Sequence, residues 1–259
     1  MTVNNLKLPS LSEVANIWQQ TLHWTPTVQQ QVQFQQLYEF ILEGNRQFNL
    51  TRITDPQEFW EKHLWDSLRG IAPLLRDGGD ENVISAPTLP TSLSFIDIGT
   101  GAGFPGIPVA ITVANSTVTL LDSTQKKIKF LEKISAALDL TNVKTLTGRS
   151  EEVGQQPQHR QTYDVALIRA VGTASVCAEY ALPLLKQGGL AVIYRGNWTQ
   201  EETKALENAV NQLGGVIESI EKFTTPLTDS IRHCLYLRKV ATTPVEFPRP
   251  VGVPTQKPL

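Results

Sequence analysis

The chain has 259 residues, of which 41% are hydrophobic and 19% charged, and its formal net charge is −2. This composition is typical of a globular protein and excludes a chain that is disordered throughout. The slightly negative charge excludes a protein-wide positive field, so any contact with nucleic acid must come from local basic patches.

Cysteine and histidine usage limits the chemistry further. Cys177 and Cys234 lie far apart and neither has a CxxC partner, which excludes a disulfide framework or a cysteine zinc site. The four histidines are scattered, so we expect no metal centre. We expect a monomer in the reducing cytoplasm, with no signal peptide and no membrane span.

Residues 1–75 have the pattern of a helical subdomain. Three helix starts are predicted from N-cap and proline signals, at a capping box over residues 10–13, at Thr25-Pro26 and at Asp55-Pro56. Gly44 is expected to end the second helix, and the third is expected to run to about residue 75. Residues 76–92 are rich in Gly, Pro, Ser and Asp, which predicts an exposed loop.

Strands alternate with helices across residues 93–240, the predicted main domain. Strands are predicted at 93–98, 118–121, 143–146, 163–168, 190–194, 216–223 and 233–238, and helices at 125–138, 173–185 and 199–213. This order predicts an α/β fold with a mostly parallel, Rossmann-like, seven-stranded sheet. The last two strands have no helix between them and so predict an antiparallel edge pair. The proline-rich residues 241–259 predict an extended tail.

The sequence FIDIGTGAGFPG at residues 95–106 is a strand followed by a glycine-rich turn. Glycines let the backbone turn tightly and approach a ligand. The pattern Asp97-x-Gly99-x-Gly101-x-Gly103 resembles the first motif of S-adenosylmethionine (SAM) methyltransferases. Gly101-x-Gly103-x-x-Gly106 also satisfies the dinucleotide fingerprint, so the turn alone indicates only a nucleoside-bearing cofactor.

In an open α/β sheet, the ligand lies beyond the carboxyl ends of the strands. Asp122 ends the second predicted strand, where a carboxylate can accept hydrogen bonds from ribose hydroxyls of SAM or NAD. Ser150 and Glu151 follow the third strand and could meet the adenine edge. Arg169 ends the fourth strand, where substrate would meet cofactor.

Several segments, in order from about residue 46, resemble the RsmG (GidB) family. They are Asn49-Leu50-Thr51, His63-x-x-Asp66-Ser67, the glycine turn, Leu120-Leu121-Asp122-Ser123, the segment GRSEE at 148–152, Ile168-Arg169-Ala170, Phe247-Pro248-Arg249 and Lys257-Pro258-Leu259. One departure lies in the tail, where Pro250-Val251 follows Arg249 and one expected basic residue is missing.

This resemblance implies a bacterial SAM-dependent methyltransferase that acts on N7 of a guanine in the 530 loop of 16S ribosomal RNA. The partner would be this RNA or the small ribosomal subunit. Together with the glycine turn, it implies a cofactor site at Gly99, Gly101, Gly103, Phe104, Asp122, Ser123, Thr124, Ser150, Glu151 and Arg169.

N7 of guanine carries a lone pair and no proton, so the reaction needs no general base. We therefore predict no catalytic base and interpret His63 as structural. Local basic residues near strand ends are predicted to bind RNA, namely Lys126, Lys127, Arg149 and Arg195. Lys129 and Lys133 on the same predicted helix fit either RNA contact or a solvated helix face.

Two alternatives remain at this stage. An NAD-dependent oxidoreductase is supported by the dinucleotide fingerprint with Asp122 downstream. Against it are Asp97, the bulky Phe104-Pro105 inside the turn, and the antiparallel strand pair. The other alternative is a non-catalytic RNA-binding or assembly factor. That function predicts a damaged glycine turn or a lost Asp122, and both are intact.

Overall fold

The computed structural model describes residues 10–11, 14–75 and 92–259. Helical segments make up most of the described part before residue 76. They are α1 (Ala15–Leu22), α2 (Val28–Phe48), α3 (Pro56–Phe59), a π-helical segment (Trp60–Trp65), α4 (Asp66–Arg69) and α5 (Ala72–Leu75). The predicted loop 76–92 and part of the predicted capping box at 10–13 lie outside the described residues.

Helix α2 begins later than predicted. Thr27, not Thr25, is the N-cap, because Thr27 and Gln30 exchange side-chain and backbone hydrogen bonds in a capping box. The helix also continues past Gly44 and ends before Asn49, which has a left-handed backbone. The start of α3 is as predicted, since the Asp55 carboxylate accepts hydrogen bonds from two amides in the first turn.

The sheet confirms the predicted fold class. Its strands are β1 (Ser94–Ile98), β2 (Thr117–Asp122), β3 (Val143–Thr147), β4 (Tyr163–Arg169), β5 (Leu185–Arg195), β6 (Gly215–Thr224) and β7 (Ile231–Lys239). Their order is β3-β2-β1-β4-β5-β7-β6. Adjacent strands in the series β3-β2-β1-β4-β5 pair in parallel. Strand β7 pairs antiparallel with both β5 and β6.

Strand β5 begins at Leu185, five residues before the predicted start, so Gly188 and Gly189 lie within the strand. The register passes from Tyr163↔Leu185 to Val165↔Leu190, which leaves extra residues on β5. The glycines accommodate this bulge, because Gly188 has φ +81° and a Cβ on Gly189 would lie 2.9 Å from the Lys186 carbonyl oxygen.

Helices cover both faces of the sheet. The helices that follow β1 are α6 (Gly106–Thr112), α7 (Gln125–Ala137), α8 (Ser150–Val153), α9 (Ala174–Ala181) with a 3-10 turn (Leu182–Leu184), α10 (Gln200–Gln212) and α11 (Val253–Gln256). Side chains such as Phe95 and Leu167 face a core shared by α6, α7 and the N-terminal helices. Ile96 and Ile168 face the second core, beneath α9 and α10.

The C-terminal tail, residues 241–259, packs against the sheet domain. Phe247 is buried, and the Arg160 guanidinium donates to the carbonyl oxygens of Thr243, Pro244 and Phe247. The prediction of an extended tail is therefore wrong for α11, and contacts with the sheet domain hold the rest of the tail. The domain boundaries at 75, 92 and 240 stay a prediction.

Candidate functional site

The glycine turn after β1 has the backbone that its sequence predicts. Gly99, Gly101 and Gly103 all have positive φ, at +69°, +59° and +97°. A Cβ on Gly99 would lie 2.6 Å from the Val171 side chain, and one on Gly103 would lie 2.7 Å from Ile107. Larger residues would therefore collide with neighbours as well as strain the backbone.

Asp97 supports this turn from inside the protein. Its side chain is fully buried, and Oδ2 accepts hydrogen bonds from the Thr100 hydroxyl at 2.5 Å and the Gly106 amide at 2.8 Å. Burial raises the pKa of Asp97 to about 6 despite these hydrogen bonds. Asp97 thus ties both ends of the turn to β1 from within the core.

Asp122 joins the turn to the end of β2. Its Oδ2 accepts from the Gly101 amide at 3.0 Å, and Oδ1 accepts from the Thr124 amide at 2.8 Å. The Lys127 ammonium lies 3.8 Å from Oδ2. Each carboxylate oxygen has a second lone pair, so Asp122 keeps acceptor capacity for a ligand while it holds two loops together.

A cleft of about 260 Å³ lies at the carboxyl ends of β1 to β4. It is lined by Ile98, Gly99, Leu121, Asp122, Ser123, Gly148, Arg149, Ser150, Glu151, Val171, Tyr180 and Thr255. The structure therefore brings together five of the predicted cofactor residues: Gly99, Asp122, Ser123, Ser150 and Glu151. Tyr180 of α9 and Thr255 of the tail were not predicted, because neither stands at a strand end.

Glu151 is a buried carboxylate in the lining of the cleft. It is 2% exposed, and Oε1 accepts from Arg149 Nη2 at 3.2 Å, the Tyr180 hydroxyl at 3.1 Å and the Gly252 amide at 3.1 Å. Among the described residues, Oε2 is buried with no hydrogen-bond partner. Burial opposes ionisation, but hydrogen bonds from backbone amides and Arg149 bring the pKa of Glu151 below its usual value. The carboxylate is therefore charged, with one free acceptor oxygen.

The other predicted cofactor residues lie outside the lining of this cleft. Gly101 and Thr124 reach it only through their hydrogen bonds to Asp122. Gly103 faces Ile107 and Leu131.

Phe104 and Arg169 instead form a cluster with the N-terminal helices. The Phe104 ring stacks on His63, with ring centroids 4.4 Å apart. The Arg169 guanidinium donates to the Lys62 carbonyl oxygen at 2.9 Å and to Asp66 Oδ2 at 3.1 Å. Both side chains thus join the sheet to the π-helical segment, and their role toward a cofactor stays a prediction.

His63 lies at the centre of this cluster. Its Nε2 is 2.9 Å from the Thr51 hydroxyl, and its Nδ1 is 3.4 Å from Arg169 Nη2. Burial, followed by the charges of Arg169 and Lys62, lowers the pKa of His63 to about 3. The imidazole is therefore neutral at pH 7 and a weak base, in keeping with a structural role.

The predicted RNA residues are distributed along the same edge of the sheet. Lys126 is exposed, and Lys127 lies near Asp122. Arg149 pairs with Glu151, and its side chain is 44% exposed. Arg195 donates to the Gly172 carbonyl oxygen at 2.6 Å and lies 3.9 Å from Glu202, so its guanidinium is already engaged.

A groove of about 590 Å³ lies between α2 and α7. Lys126, Lys129 and Lys133 line one wall. Phe48, which is 37% exposed, stands opposite, with its ring centroid 5.6 Å from that of Phe130. The groove, defined by these five residues, combines cationic groups with accessible aromatic rings, which single-stranded RNA favours.

The described residues include neither a group of metal ligands nor a membrane-spanning helix. Within residues 10–11, 14–75 and 92–259, no group of three or more His, Cys, Asp or Glu side chains is placed to hold a metal ion. In the same part of the chain, no helix is long and apolar enough to cross a membrane.

The sheet order and the glycine turn define the class, that of Rossmann-like SAM-dependent methyltransferases. A family model described as rRNA small subunit methyltransferase G (GidB) matches residues 30–234. The chain belongs to this family.

Relatives match almost end to end. Ribosomal RNA small subunit methyltransferase G of Nostoc punctiforme is 74% identical, over 96% of this chain and 98% of the relative. The protein of the same name from Trichormus variabilis is 72% identical, with the same coverage. That from Trichodesmium erythraeum is 56% identical, over 100% of this chain and 98% of the relative.

Proposed function

We propose that this protein transfers a methyl group from SAM to N7 of a guanine in the 530-loop region of 16S ribosomal RNA. The observation that carries this proposal is family membership, with 74% identity to a ribosomal RNA small subunit methyltransferase G over 96% of the chain. The substrate is 16S RNA, free or within the small subunit.

The residues of the cleft fit the adenosine part of SAM. The unpartnered Oε2 of Glu151 can accept a hydrogen bond from the amino group of adenine. Asp122 can accept from ribose hydroxyls with its remaining lone pairs. Gly99 lines the same cleft, and a side chain at this position would collide with Val171.

SAM supplies an electrophilic methyl group on a sulfonium, and the protein contributes position and charge. N7 carries no proton, so no side chain need remove one during transfer. His63 is a weak base, and burial raises the pKa of Tyr180, which stays protonated. The rate enhancement comes from orientation and from exclusion of water around the two reactants.

RNA is held by the groove between α2 and α7 and by the sheet edge. Lys126, Lys129 and Lys133 contact phosphates, and Phe48 offers a ring for base stacking. Lys127 and Arg149 add cationic groups near the cleft, whereas Arg195 is already engaged by the Gly172 carbonyl oxygen. Because the net charge is −2, this local basic surface is the part of the chain best suited to attract RNA.

The direct test is incubation of the protein with methyl-labelled SAM and 16S RNA or small subunits that lack the N7 methyl group. We expect label on one guanine of the 530 loop, mapped by sequence-specific cleavage. Label on another base, or no label with folded protein that binds SAM, would contradict the proposal. A thermal shift with NAD but not SAM would also contradict the proposal.

A further inference from the structure

The C-terminal tail reaches the candidate cofactor cleft. Thr255 lines the cleft, and the Gly252 amide donates to Glu151 Oε1 at 3.1 Å. Gly252 has φ +84°, a backbone that favours glycine. The tail is therefore in contact with the one carboxylate of the cleft that has a free, buried oxygen.

A buried ion pair anchors the tail just before this contact. Glu179 on α9 is fully buried and accepts from the Arg249 side chain through both oxygens, with Nε to Oε1 at 2.9 Å and Nη2 to Oε2 at 2.6 Å. The Arg249 amide also donates to Oε1 at 2.9 Å. This two-pronged geometry fixes orientation as well as distance, so it sets the path of residues 250–252.

Helix α9 links the Arg249–Glu179 ion pair to the carboxylate of Glu151. Tyr180 follows Glu179 on α9, and its hydroxyl donates to the same Oε1 that accepts from Gly252. With Arg149, three donors thus converge on Oε1. Because all three donors bond to Oε1, Oε2 is left without a hydrogen-bond partner among the described residues.

We propose that the tail is part of the cofactor site, where Arg249 and Gly252 position Glu151 to select a 6-amino purine. This inference rests on the proposed function, since it assumes that SAM occupies the cleft. An adenine amino group donates to Oε2, whereas the carbonyl oxygen of a 6-oxo purine would place two acceptors face to face. Arg249 acts as a positioning residue, because it contacts the cleft only through the tail and Glu179.

The test compares two ligands by calorimetry, S-adenosylhomocysteine and its 6-oxo counterpart, S-inosylhomocysteine. We expect wild-type protein to prefer the adenosyl ligand by about tenfold or more, as a hydrogen bond to a charged group implies. In Arg249→Met, the adenosyl affinity should fall about tenfold while the inosyl affinity changes little, so the preference collapses. A general loss of folding would not change this ratio selectively.

A matched control breaks a similar ion pair away from the cleft. Arg238 contacts Glu218 through two nitrogens, at 2.5 and 2.7 Å, on the β6–β7 pair. Arg238→Met should keep the wild-type preference. A chain that ends at residue 251 keeps Arg249 but lacks Gly252 and Thr255, and it should lose the preference as Arg249→Met does.

The outcomes separate this inference from the function on which it rests. An unchanged preference in Arg249→Met and in the shortened chain, or an equal loss of both ligands, would overturn the role of the tail. Equal binding of both ligands by wild-type protein would overturn base selection by Glu151 and leave SAM binding intact. If wild-type protein bound neither ligand, the proposed function itself would fail.

Discussion

At the scale of single residues, the acids near the ends of β1 and β2 hold the loops that follow these strands. Asp122 accepts from the Gly101 and Thr124 amides, and Asp97 accepts from Thr100 and Gly106. Such bonds satisfy amides that a tight turn leaves without backbone partners. The acidic pattern around the glycine turn is thus explained first by loop geometry, and contact of Asp122 with a ligand stays a prediction.

Replacement of Asp122 should therefore have two separable effects. In Asp122→Ala, we expect SAM affinity to fall about ten- to a hundredfold, through loss of charge-assisted bonds to ribose. The free energy of unfolding should fall by about 1–3 kcal/mol, since two amides lose their acceptor. Asp122→Asn keeps one acceptor oxygen and should lose less stability. Calorimetry and urea unfolding measure the two effects, and unchanged SAM affinity would exclude Asp122 from the site.

His63 should make stability depend on pH in a defined direction. Its folded-state pKa is about 3, below the 6.5 of an unfolded histidine. As pH falls through 6.5, the unfolded chain gains a proton that the folded protein does not, so folded-state stability falls. Between pH 7 and pH 5, this linkage is worth about 2 kcal/mol. Buried Asp97, with a pKa of about 6, acts in the opposite direction between about pH 6 and 3.8.

The variant His63→Gln isolates this contribution. Urea unfolding at several pH values should show a shallower loss of stability on acidification than in wild type, because only the histidine term is removed. Methyl transfer should remain measurable, since N7 needs no base. Complete loss of turnover, with normal folding and normal binding of SAM and RNA, would reverse the interpretation of His63 as structural.

At the scale of elements, helix α7 has one face buried in the core and another that carries lysines. Ile128, Leu131 and Ile134 are buried in the core beside the sheet. Lys126, Lys129 and Lys133 are spaced so that they lie together along the groove. The single helix thus supports the sheet with one face and presents positive charge beside the cleft with the other.

The lysines of the groove should affect the affinity for RNA and not the affinity for SAM. In the double variant Lys129→Glu and Lys133→Glu, we expect RNA affinity to fall at least ~tenfold and the salt dependence to weaken by ~2 phosphate contacts. SAM affinity should not change. The control, Lys204→Glu with Lys222→Glu, makes the same charge change at two exposed lysines outside the groove. Filter binding at several salt concentrations measures this, and equal losses in both double variants would contradict the assignment.

The packing of α2 on α7 explains why a glycine stands within a long helix. A Cβ on Gly44 would lie 2.3 Å from the Phe130 ring and 3.0 Å from Leu50. Gly44→Ala should therefore destabilise the protein by about 1–3 kcal/mol through overpacking, despite the better helix propensity of alanine. Gly196 has open space around its Cβ position, so Gly196→Ala should be close to neutral in urea unfolding. Stabilisation by Gly44→Ala would show that Phe130 can move aside.

At the scale of the whole molecule, the N-terminal helices and the sheet share one core. Trp65 and Tyr194 belong to the same buried cluster. The Tyr194 hydroxyl donates to the Ser67 carbonyl oxygen at 2.7 Å, and Arg169 pairs with Asp66. The buried carboxylate of Glu61 accepts from the Leu227 and Thr228 amides. The helices are thus bound to the sheet by polar contacts as well as by packing.

The contacts between the N-terminal helices and the sheet are a part of the fold that the sequence did not predict. The strand–turn pattern at residues 95–106 and the alternation of strands and helices predicted the sheet, because they depend on neighbours within a few residues. The partner of Arg169 lies 103 positions away, at Asp66. Its place at a strand end predicted a role in the cofactor site, which stays a prediction, and no local signal indicated the contact with Asp66.

The sequence by itself determined the fold class, the glycine turn and the acids at the ends of β1 and β2. Hydrophobic spacing and glycine placement act locally, so they can be interpreted along the chain. Only the tertiary structure decided the bulged start of β5, the contact of Phe104 with His63 and the docking of the tail on Glu151. Each of these depends on which distant surfaces bury one another, and that choice is made by the packing of the entire chain.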